Sequence, residues 1–281
     1  MSSVLAFGEH SLSLDRPRIM GVVNVTPDSF SDGGRFFEPE AAVAHARELV
    51  AAGADILDVG GESTRPGAVE VPLQEELDRV LPVIEAVSGL GVPVSVDTRK
   101  AAVMRAAVAA GAWLVNDVSA LEHDPEALAT VAELGVPVCL MHMQGTPETM
   151  QANPAYTDVV GEVRDYLAQR ADACQAAGIR RDAIVLDPGI GFGKTVAHNL
   201  ALLHHLDAFT GLGYPVLVGS SRKSLVGKVL DREVGERAYG DAAVVAWSVS
   251  HGAGLVRVHD VGPMRDVVRM TEALASGRVP E

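Results

Sequence analysis

Short apolar runs that end on a polar residue recur along the chain, and longer stretches with helical spacing separate them. In each copy a helix-like segment ends in glycine, and an apolar run of about four to six residues follows. Glycine suits the left-handed conformation that terminates a helix, and an unbroken apolar run suits a strand that is buried on both faces. The copies are AAGADILDVGG, GLGVPVSVD, AAGAWLVND, ELGVPVCLMH, AAGIRRDAIVLDPG, GLGYPVLVGSS and SHGAGLVRVHD.

The apolar run at residues 19–23 precedes these copies and supplies an eighth predicted strand, which ends on Asn24 before a loop rich in Gly, Ser and Asp. Eight alternating units with right-handed crossovers predict an α/β fold, a (β/α)8 TIM barrel, and a doubly wound open sheet is the alternative. Two further short runs, residues 4–7 and 12–14, predict an N-terminal β-hairpin that caps the bottom of the barrel.

The length and composition of the chain fit one domain. The chain has 281 residues, which is long for an ordinary domain but normal for an α/β barrel around a single core. Hydrophobic residues make up 48% of the chain and aromatic residues only 4%, so Ala, Val, Leu and Ile must build most of the core. That composition is typical of parallel strands covered by helices. We therefore expect residues 1–281 to form a single barrel domain.

Net charge and cysteine content limit which binding partners and which cellular compartment we expect for this protein. The net charge is −14 and no run of Lys or Arg occurs, so we expect neither nucleic acid nor an anionic membrane surface as a partner. Cys139 and Cys174 fall within apolar runs without metal-ligand spacing, which predicts buried free thiols. With no leader-like N-terminal segment and no apolar run that could span a bilayer, we expect a soluble cytoplasmic protein.

Polar residues stand at the carboxyl ends of the predicted strands, where the chemistry of a barrel lies. Side chains alternate along a strand, so Arg257 and His259 share a face. For the same reason Asn116 and Asp117 cannot both point inward, and one of them is structural. Buried carboxylates in such a ring need partners or a ligand. The strand-end residues are Asn24, Asp58, Asp97, Asn116 or Asp117, His142, Asp187, Ser220, Ser221, Arg222, Lys223, Arg257 and His259.

Eight motifs stand in order along nearly the whole chain: MGVVNVTPDSFSDGG, DVGGESTRPGA, VSVDT, LVNDVS, LMHMQGTPETM, LDPGIGFGKT, VGSSRKS and VRVHDV. Together they closely resemble the dihydropteroate synthases, a family of pterin-binding TIM-barrel enzymes. The resemblance implies a transferase of folate biosynthesis that joins 6-hydroxymethyl-7,8-dihydropterin pyrophosphate to para-aminobenzoate, releasing pyrophosphate and 7,8-dihydropteroate. It also implies a homodimer, and an arylamine site at which sulfonamides compete with para-aminobenzoate.

The resemblance assigns Asp97, Asn116, Asp187 and Lys223 to the pterin pocket. A reduced pterin presents adjacent N–H donors beside a carbonyl, and a buried carboxylate accepts two parallel hydrogen bonds from such an edge. The Lys223 ammonium can donate to the carbonyl and to a ring nitrogen. In the alternative interpretation, Asp97 and Asp187 merely cap the next helices, since Asp187 begins a turn-like Asp-Pro-Gly sequence.

An acidic protein needs a few placed groups to bind pyrophosphate. Arg257 and His259 lie near the end of the eighth strand, where phosphate sites of this fold are common, although a strand Arg is also a frequent salt-bridge partner. With Arg65 and Asn24 they form the predicted pyrophosphate site. The Asn24 amide oxygen is the predicted protein ligand of Mg²⁺, which needs few protein ligands when phosphate and water supply the others.

The arylamine site is predicted from the resemblance alone. Aromatic and proline side chains offer flat apolar contact to the aminobenzoate ring, and cationic or hydroxyl groups address its carboxylate. The alternatives are that STRPG is an ordinary turn and that the second phenylalanine packs under a loop. The predicted residues are Phe30, Thr64, Arg65, Pro66, Phe192, Lys223 and Ser224.

The expected mechanism needs no strong general base. Pyrophosphate leaves, the pterin methylene becomes a delocalised cation, and the arylamine captures it. Asn24, Asp97, Lys223 and Arg257 are the predicted catalytic residues, and loops 25–39 and 61–72 are expected to close over the site. Two alternatives are a methyltetrahydrofolate-dependent methyltransferase, which has no use for a diphosphate site, and a catalytically silent pterin-binding paralogue, which would show damaged motifs.

Overall fold

The computed structural model describes residues 4–8, 10–26 and 39–279, which form a barrel of parallel strands surrounded by helices. Phe30 and most of the predicted loop 25–39 lie outside these residues. The strands are β1 (Val4–Phe7), β2 (His10–Ser13), β3 (Arg18–Asn24), β4 (Ile56–Gly60), β5 (Val94–Asp97), β6 (Leu114–Asp117), β7 (Val138–Met141), β8 (Ile184–Asp187), β9 (Leu217–Gly219) and β10 (Leu255–Val258). The helices are α1 (Pro39–Ala52), α2 (Leu73–Val87), α3 (Ala101–Ala109), α4 (Ala127–Leu134), α5 (Val159–Ala176), α6 (Val196–His204), α7 (Asp207–Thr210), α8 (Ser224–Leu230), α9 (Ala238–Ser250) and α10 (Val261–Ser276).

The eight parallel strands close into a barrel. Their order is β8-β7-β6-β5-β4-β3-β10-β9, so β3 pairs with both its sequence neighbour and the last strand of the chain. The two ends of this order meet where Leu186 bridges Val216 and donates its N–H to the Pro215 carbonyl at 2.9 Å. The predicted (β/α)8 barrel is therefore confirmed, and the open sheet is excluded.

Side-chain alternation divides the strand residues between two apolar cores. Outward-facing residues such as Val23, Val59 and Val96 pack against the helices, which bury matching stripes such as Val80 and Ile84 of α2. Inward-facing residues fill the bottom of the barrel, and the hairpin β1–β2 seals it with fully buried Leu5. The inner core consists of Leu5, Met20, Ile56, Trp113, Leu114, Cys139, Val185, Leu217 and Leu255.

Two further expectations concern thiols and membrane segments. Cys139 lies in the inner core and Cys174 on the buried face of α5, and both are buried free thiols, as predicted. Among the helices of the described ranges, none combines the length and apolar character that a bilayer span requires.

Candidate active site

Above the apolar layer, the inward positions of the strands change from apolar to charged and amide side chains. This change comes at the carboxyl ends of five strands, two residues beyond an inner-core position in four of them, because successive inward residues are two apart. Each side chain of this ring, the carboxyl-end ring, is at least half-buried. The ring consists of Asp58, Asp97, Asn116, Asp187 and Arg257.

Arg257 lies at the centre of the carboxyl-end ring. Its Nε donates to Asp58 Oδ2 at 2.6 Å, and its Nη2 donates to Asp97 Oδ2 at 2.9 Å. Asn116 Nδ2 donates to the same Asp58 oxygen at 3.0 Å. The guanidinium therefore does form salt bridges, as the alternative interpretation had it, yet 22% of the Arg257 side chain stays exposed at the barrel mouth.

Asp58 is a site residue whose role the sequence analysis missed. It stood among the strand-end residues without an assigned function, although it lies two residues before Gly60 on the inward face of β4. Its side chain is completely buried, and within the described ranges its Oδ1 has no hydrogen-bond partner. Asp58 holds Arg257 and Asn116 in place from below.

Burial and charge pairing act in opposite directions on the pKa values of Asp97 and Arg257. Burial raises the pKa of Asp97 to about 7, since the attraction of Arg257 only partly offsets desolvation and the neighbouring Asp58 charge adds repulsion. Burial lowers the pKa of Arg257, but Asp58 and Asp97 outweigh it and raise that pKa above its ordinary value. Arg257 thus stays charged, whereas Asp97 titrates near neutrality.

Asp187 and Lys223 form the opposite side of the site. Asp187 Oδ1 accepts the Gly189 N–H at 2.7 Å, so it holds the turn after β8, whereas Thr195 caps the next helix, α6. Burial raises the pKa of Asp187 against the pull of Lys223. Lys223 Nζ donates to the Ile190 carbonyl and lies 4.4 Å from the centre of the Phe192 ring. Burial lowers the pKa of Lys223 to about 8, partly offset by Asp187.

The loop that carries Phe192 rests on a lysine without an assigned role. Lys194 Nζ is buried and donates to the Phe192 carbonyl at 2.8 Å, and it lies 3.0 Å from His142 Nδ1. Burial lowers the pKa of Lys194 to about 7, and burial together with the Lys194 charge lowers the pKa of His142 to about 3. His142, predicted at a strand end, therefore supports this loop as a neutral ring.

The structure separates Asn116 from its neighbour Asp117. Asn116 points into the barrel, whereas Asp117 accepts hydrogen bonds from the Ser119 N–H at 2.7 Å and the Leu121 N–H at 3.0 Å. Asp117 holds the turn after β6, so it is the structural member of the pair, as alternation required.

His259 lies beside Arg257 at the end of β10. The Ser221 hydroxyl lies 3.1 Å from His259 Nδ1 and accepts the His259 N–H at 3.3 Å. Burial lowers the pKa of His259 to about 3, and the positive charges of Arg257, Arg222 and Arg65 add to the effect. The imidazole is therefore neutral at physiological pH and available as a hydrogen-bonding group.

The remaining predicted residues lie around the rim. Thr64 is half-buried, while Arg65 and Pro66 are exposed on the loop after β4. Ser224 begins α8, directly after Lys223.

Asn24 ends β3 opposite Gly60, half-buried at the barrel mouth. In the part of the chain that the structure describes, no three His, Cys, Asp or Glu side chains are grouped so that they could hold a metal ion. One amide oxygen suits Mg²⁺ as a single protein ligand beside phosphate oxygens and water.

Comparisons with known proteins agree with this arrangement. The family model described as "Pterin binding enzyme" matches residues 20–259. The dihydropteroate synthase of Haemophilus influenzae is 49% identical, covering 94% of this chain and 96% of the relative, and that of Escherichia coli K12 is 48% identical, covering 95% of each. A structure of the Yersinia pestis enzyme with a sulfonamide drug has a TM-score of 0.93 at 46% identity, covering 97% and 99% of the two chains. The Xanthomonas albilineans enzyme with 7,8-dihydropteroate has a TM-score of 0.88 at 48% identity, covering 96% and 98%. The chain therefore belongs to the pterin-binding enzymes, as a member of the dihydropteroate synthase family.

Proposed function

We propose that the barrel mouth joins 6-hydroxymethyl-7,8-dihydropterin pyrophosphate to para-aminobenzoate, forming 7,8-dihydropteroate and pyrophosphate. The observation that carries this proposal is the carboxyl-end ring, in which one half-buried guanidinium is held by two carboxylates beside an amide, with Lys223 next to the ring. Such a ring offers donors, acceptors and both signs of charge within one pocket. The X. albilineans relative has been solved with 4-aminobenzoic acid and with 7,8-dihydropteroate, which are a substrate and the product of this reaction.

The pterin lies against the inward side chains. Asp187 accepts the parallel N–H donors of the pterin edge, and Asn116 pairs with the remaining donors and acceptors of the ring. Lys223 donates to the pterin carbonyl and a ring nitrogen once it releases the Ile190 carbonyl that it now contacts. Asp97 faces the ring from the Arg257 side.

The pyrophosphate lies at the rim above β3 and β10. Arg257 supplies the charge through its exposed portion, His259 contributes a neutral N–H, and Arg65 approaches from the loop after β4. Asn24 is the proposed Mg²⁺ ligand. Bound Mg²⁺ supplies further charge neutralisation to the diphosphate.

The reaction breaks the bond between the pterin methylene and the pyrophosphate oxygen, and the electron pair leaves with pyrophosphate. The positive charge spreads into the pterin ring, where ionised Asp97 and Asp187 stabilise it. The arylamine nitrogen then forms the new C–N bond and releases its proton to solvent. Arg257 stabilises the departing anion and holds Asp97 in place at the same time.

The arylamine approaches over Phe192 and the loop after β4. Lys223 Nζ lies 4.4 Å from the centre of the Phe192 ring, so an apolar ring face and a cation are available together. Thr64, Arg65 and Pro66 form the opposite wall, and Ser224 adds a hydroxyl. Phe30 stays a prediction.

The test is direct synthesis. Purified protein is mixed with the pterin pyrophosphate and para-aminobenzoate, with Mg²⁺ or with excess chelator, and product is followed by mass spectrometry. We expect metal-dependent 7,8-dihydropteroate and competition by a sulfonamide against para-aminobenzoate. Calorimetric binding of the pterin pyrophosphate without product would favour the silent paralogue, and neither binding nor product would favour the methyltransferase.

We also propose that two copies of the chain associate through the groove between α6 and α9. This groove has a volume of about 610 Å³ and is lined by His204, His205 and apolar side chains, including Leu200 at 47% exposure and Trp247 at 42%. Such exposure of large apolar groups is typical of an interface. Leu200→Glu is expected to convert a dimer to a monomer in light scattering. Leu73→Glu, an equally exposed apolar residue on the opposite side of the barrel, is the control and is expected to stay dimeric.

A cytoplasmic location is proposed on the state of the thiols. Cys139 and Cys174 are both unpaired, as is usual in reducing compartments. Fractionation of cells that express a tagged chain tests this location, and recovery from an oxidising compartment would contradict it.

A further inference from the structure

Four charged side chains are buried beneath the loop that follows β4, outside the carboxyl-end ring. They are two acids, Glu62 and Glu76, and two bases, Arg99 and Lys100, and each is at most 9% exposed. Three elements supply them: the loop itself, helix α2 and the turn before α3. The reaction described above uses none of them.

Glu62 connects the bases of this cluster to the far end of its own loop. Its Oε1 accepts hydrogen bonds from Arg99, one of them from Nε at 3.1 Å. Its Oε2 accepts from Lys100 Nζ at 2.6 Å and from the Val71 N–H at 2.9 Å. Burial opposes ionisation of Glu62, but the hydrogen bonds from Lys100 and Arg99 outweigh it and keep the pKa of Glu62 below its ordinary value.

Lys100 completes the connection from the other side. Its three ammonium protons are directed to Glu62, to Glu76 Oε2 at 2.6 Å and to the Val71 carbonyl at 2.8 Å. Glu76 is in turn bound by the Thr98 hydroxyl at 2.6 Å. Although burial lowers the pKa of Lys100, its bonds to the two acids raise that pKa above the ordinary value overall. Each acid of the cluster is therefore hydrogen-bonded to at least one of its bases.

The contacts of Val71 show what the cluster holds. Both the N–H and the carbonyl of Val71 are bound, the first by Glu62 and the second by Lys100. Positions 62 and 71 are the two ends of the segment that carries Thr64, Arg65 and Pro66. At the tip of the segment, the Gly67 N–H donates to the Pro147 carbonyl at 3.0 Å. The two ends of the loop are thus joined at their base, while Arg65 and Pro66 between them are exposed.

Energetics favour a positioning role over a stabilising one. Desolvating four charges costs more than most buried ion pairs return, so such clusters contribute little to stability, and their best-attested use is to specify one geometry. A loop whose ends are held at a set distance also loses less conformational freedom when substrate binds.

We propose that Glu62 and Lys100 form a clamp that closes the base of the loop at residues 62–71 and thereby positions Thr64 and Arg65 for the arylamine. Both are positioning residues, since neither contacts the reacting groups. This inference rests on the proposed function, because it assigns the loop to the arylamine substrate. The pterin, which lies on the inward strand residues, does not depend on the clamp.

Kinetics of two variants test the clamp. Glu62→Gln keeps the shape of the side chain but removes its charge, and Lys100→Met keeps the aliphatic stem but removes the ammonium. At a temperature where circular dichroism shows both to be folded, we expect the KM for para-aminobenzoate to rise at least about tenfold. The calorimetric Kd for 6-hydroxymethyl-7,8-dihydropterin, which lacks the pyrophosphate that Arg65 contacts, should change by less than about twofold. Glu133→Gln is the control, since it breaks the exposed pair of Glu133 with Arg105, and it should leave both values unchanged.

Hydrogen exchange provides a readout that does not depend on activity. Glu62→Gln should speed amide exchange in the segment 62–71 while the strands of the barrel stay protected. Unchanged exchange in this segment, or an arylamine KM within twofold of the parent in both folded variants, would overturn the proposal. If the parent itself makes no product, the proposed function fails, whereas exchange still decides whether the clamp exists. If one variant fails to fold, the other is measured alone.

Discussion

Arg257 is the residue on which the charges of the barrel mouth converge. Two carboxylates, Asp58 and Asp97, share its guanidinium, so the cluster carries excess negative charge whenever Asp97 is ionised. That excess suits a reaction in which a cation forms on the pterin ring, because a preorganised anion stabilises the charge as it develops. The same guanidinium is partly exposed toward the leaving group. Arg257 thus acts at both ends of the bond that breaks: it holds Asp97 beside the pterin cation, and it stabilises the departing pyrophosphate.

Asp97→Asn tests the electrostatic role of this carboxylate. The amide keeps the size and one acceptor for Arg257 but removes the negative charge, so we expect kcat to fall by about 10²-fold or more while the fold persists. Circular dichroism and steady-state kinetics provide the measurement. Asp165→Asn removes an exposed carboxylate of α5 and is the control with unchanged kcat. A fully active Asp97→Asn enzyme would remove Asp97 from the catalytic residues.

The pH dependence of kcat/KM follows from two perturbed groups. Asp97, with a pKa of about 7, must be ionised, so kcat/KM should fall as pH drops below that value. Lys223, with a pKa of about 8, must be charged, so kcat/KM should fall as pH rises above it. A bell-shaped profile between pH 5 and 10 is the expected result. In Lys223→Arg the alkaline limb should disappear because arginine stays protonated, and an alkaline limb that persists would point to another group.

At the scale of elements, the loop after β8 is held in place by side chains that donate hydrogen bonds to its backbone carbonyl groups. Lys223 binds the Ile190 carbonyl, Lys194 binds that of Phe192, and the Tyr156 hydroxyl donates to that of Gly193 at 2.9 Å. Gly189 is left-handed with φ +69°, and a Cβ there would lie 1.9 Å from the His142 carbonyl oxygen, so only glycine fits. This loop therefore presents Phe192 as part of a rigid surface.

Lys194→Met tests the cost of the charge buried under this loop. The pKa of Lys194 is about 7 in the folded protein and about 10.4 in the unfolded chain, so the unfolded chain binds more protons between these values. The contribution of Lys194 to the free energy of unfolding should therefore rise with pH across this window, at up to about 1.4 kcal/mol per pH unit. Urea titrations from pH 6 to 10 should show this rise in the parent relative to Lys194→Met, which lacks the titrating group. Parallel curves would show that Lys194 keeps its ordinary pKa.

At the scale of the whole molecule, the barrel has an apolar end and a polar end. The hairpin β1–β2 closes the bottom with Leu5, and the carboxyl-end ring opens at the top. Because the two ends are separated by the packed inner core, stability and chemistry draw on different residues. Because the lower layer of the barrel provides the packing, the side chains of the upper layer are free to take part in catalysis.

Leu5→Ala tests this division. Leu5 is completely buried in the inner core, so the truncation should lower the free energy of unfolding by about 2–5 kcal/mol through lost burial and a residual cavity. KM for both substrates should stay unchanged below the unfolding transition. Denaturant titration and kinetics on the same preparation provide the check. A changed KM without a loss of stability would mean that the hairpin communicates with the barrel mouth.

Much of the fold and part of the site could be predicted from local pattern. Alternation along β6 required one structural member in the pair Asn116 and Asp117, and Asp117 is that member. The role of Asp58 could not be predicted, because its partner Arg257 lies 199 positions away in the chain. The clamp of Glu62 and Lys100 was missed for a related reason: their spacing in sequence matches no local motif, and only the packing of the loop against α3 brings them together. The roles of the individual site residues, the Mg²⁺ site and the dimer stay predictions.

The sequence by itself determined the eight strand and helix units, the alternation of side chains along each strand and the family, because all of these follow from short-range periodicity and from motifs read in order. That the sheet closes into a barrel was decided by the structure, where Leu186 bridges Val216. The tertiary structure alone decided which charges meet. It placed Arg257 between two carboxylates, left His259 neutral beside it and raised the pKa of Asp97 to about 7. The physical reason is that pairing and desolvation depend on distance through the fold, and periodicity along the chain carries no record of that distance.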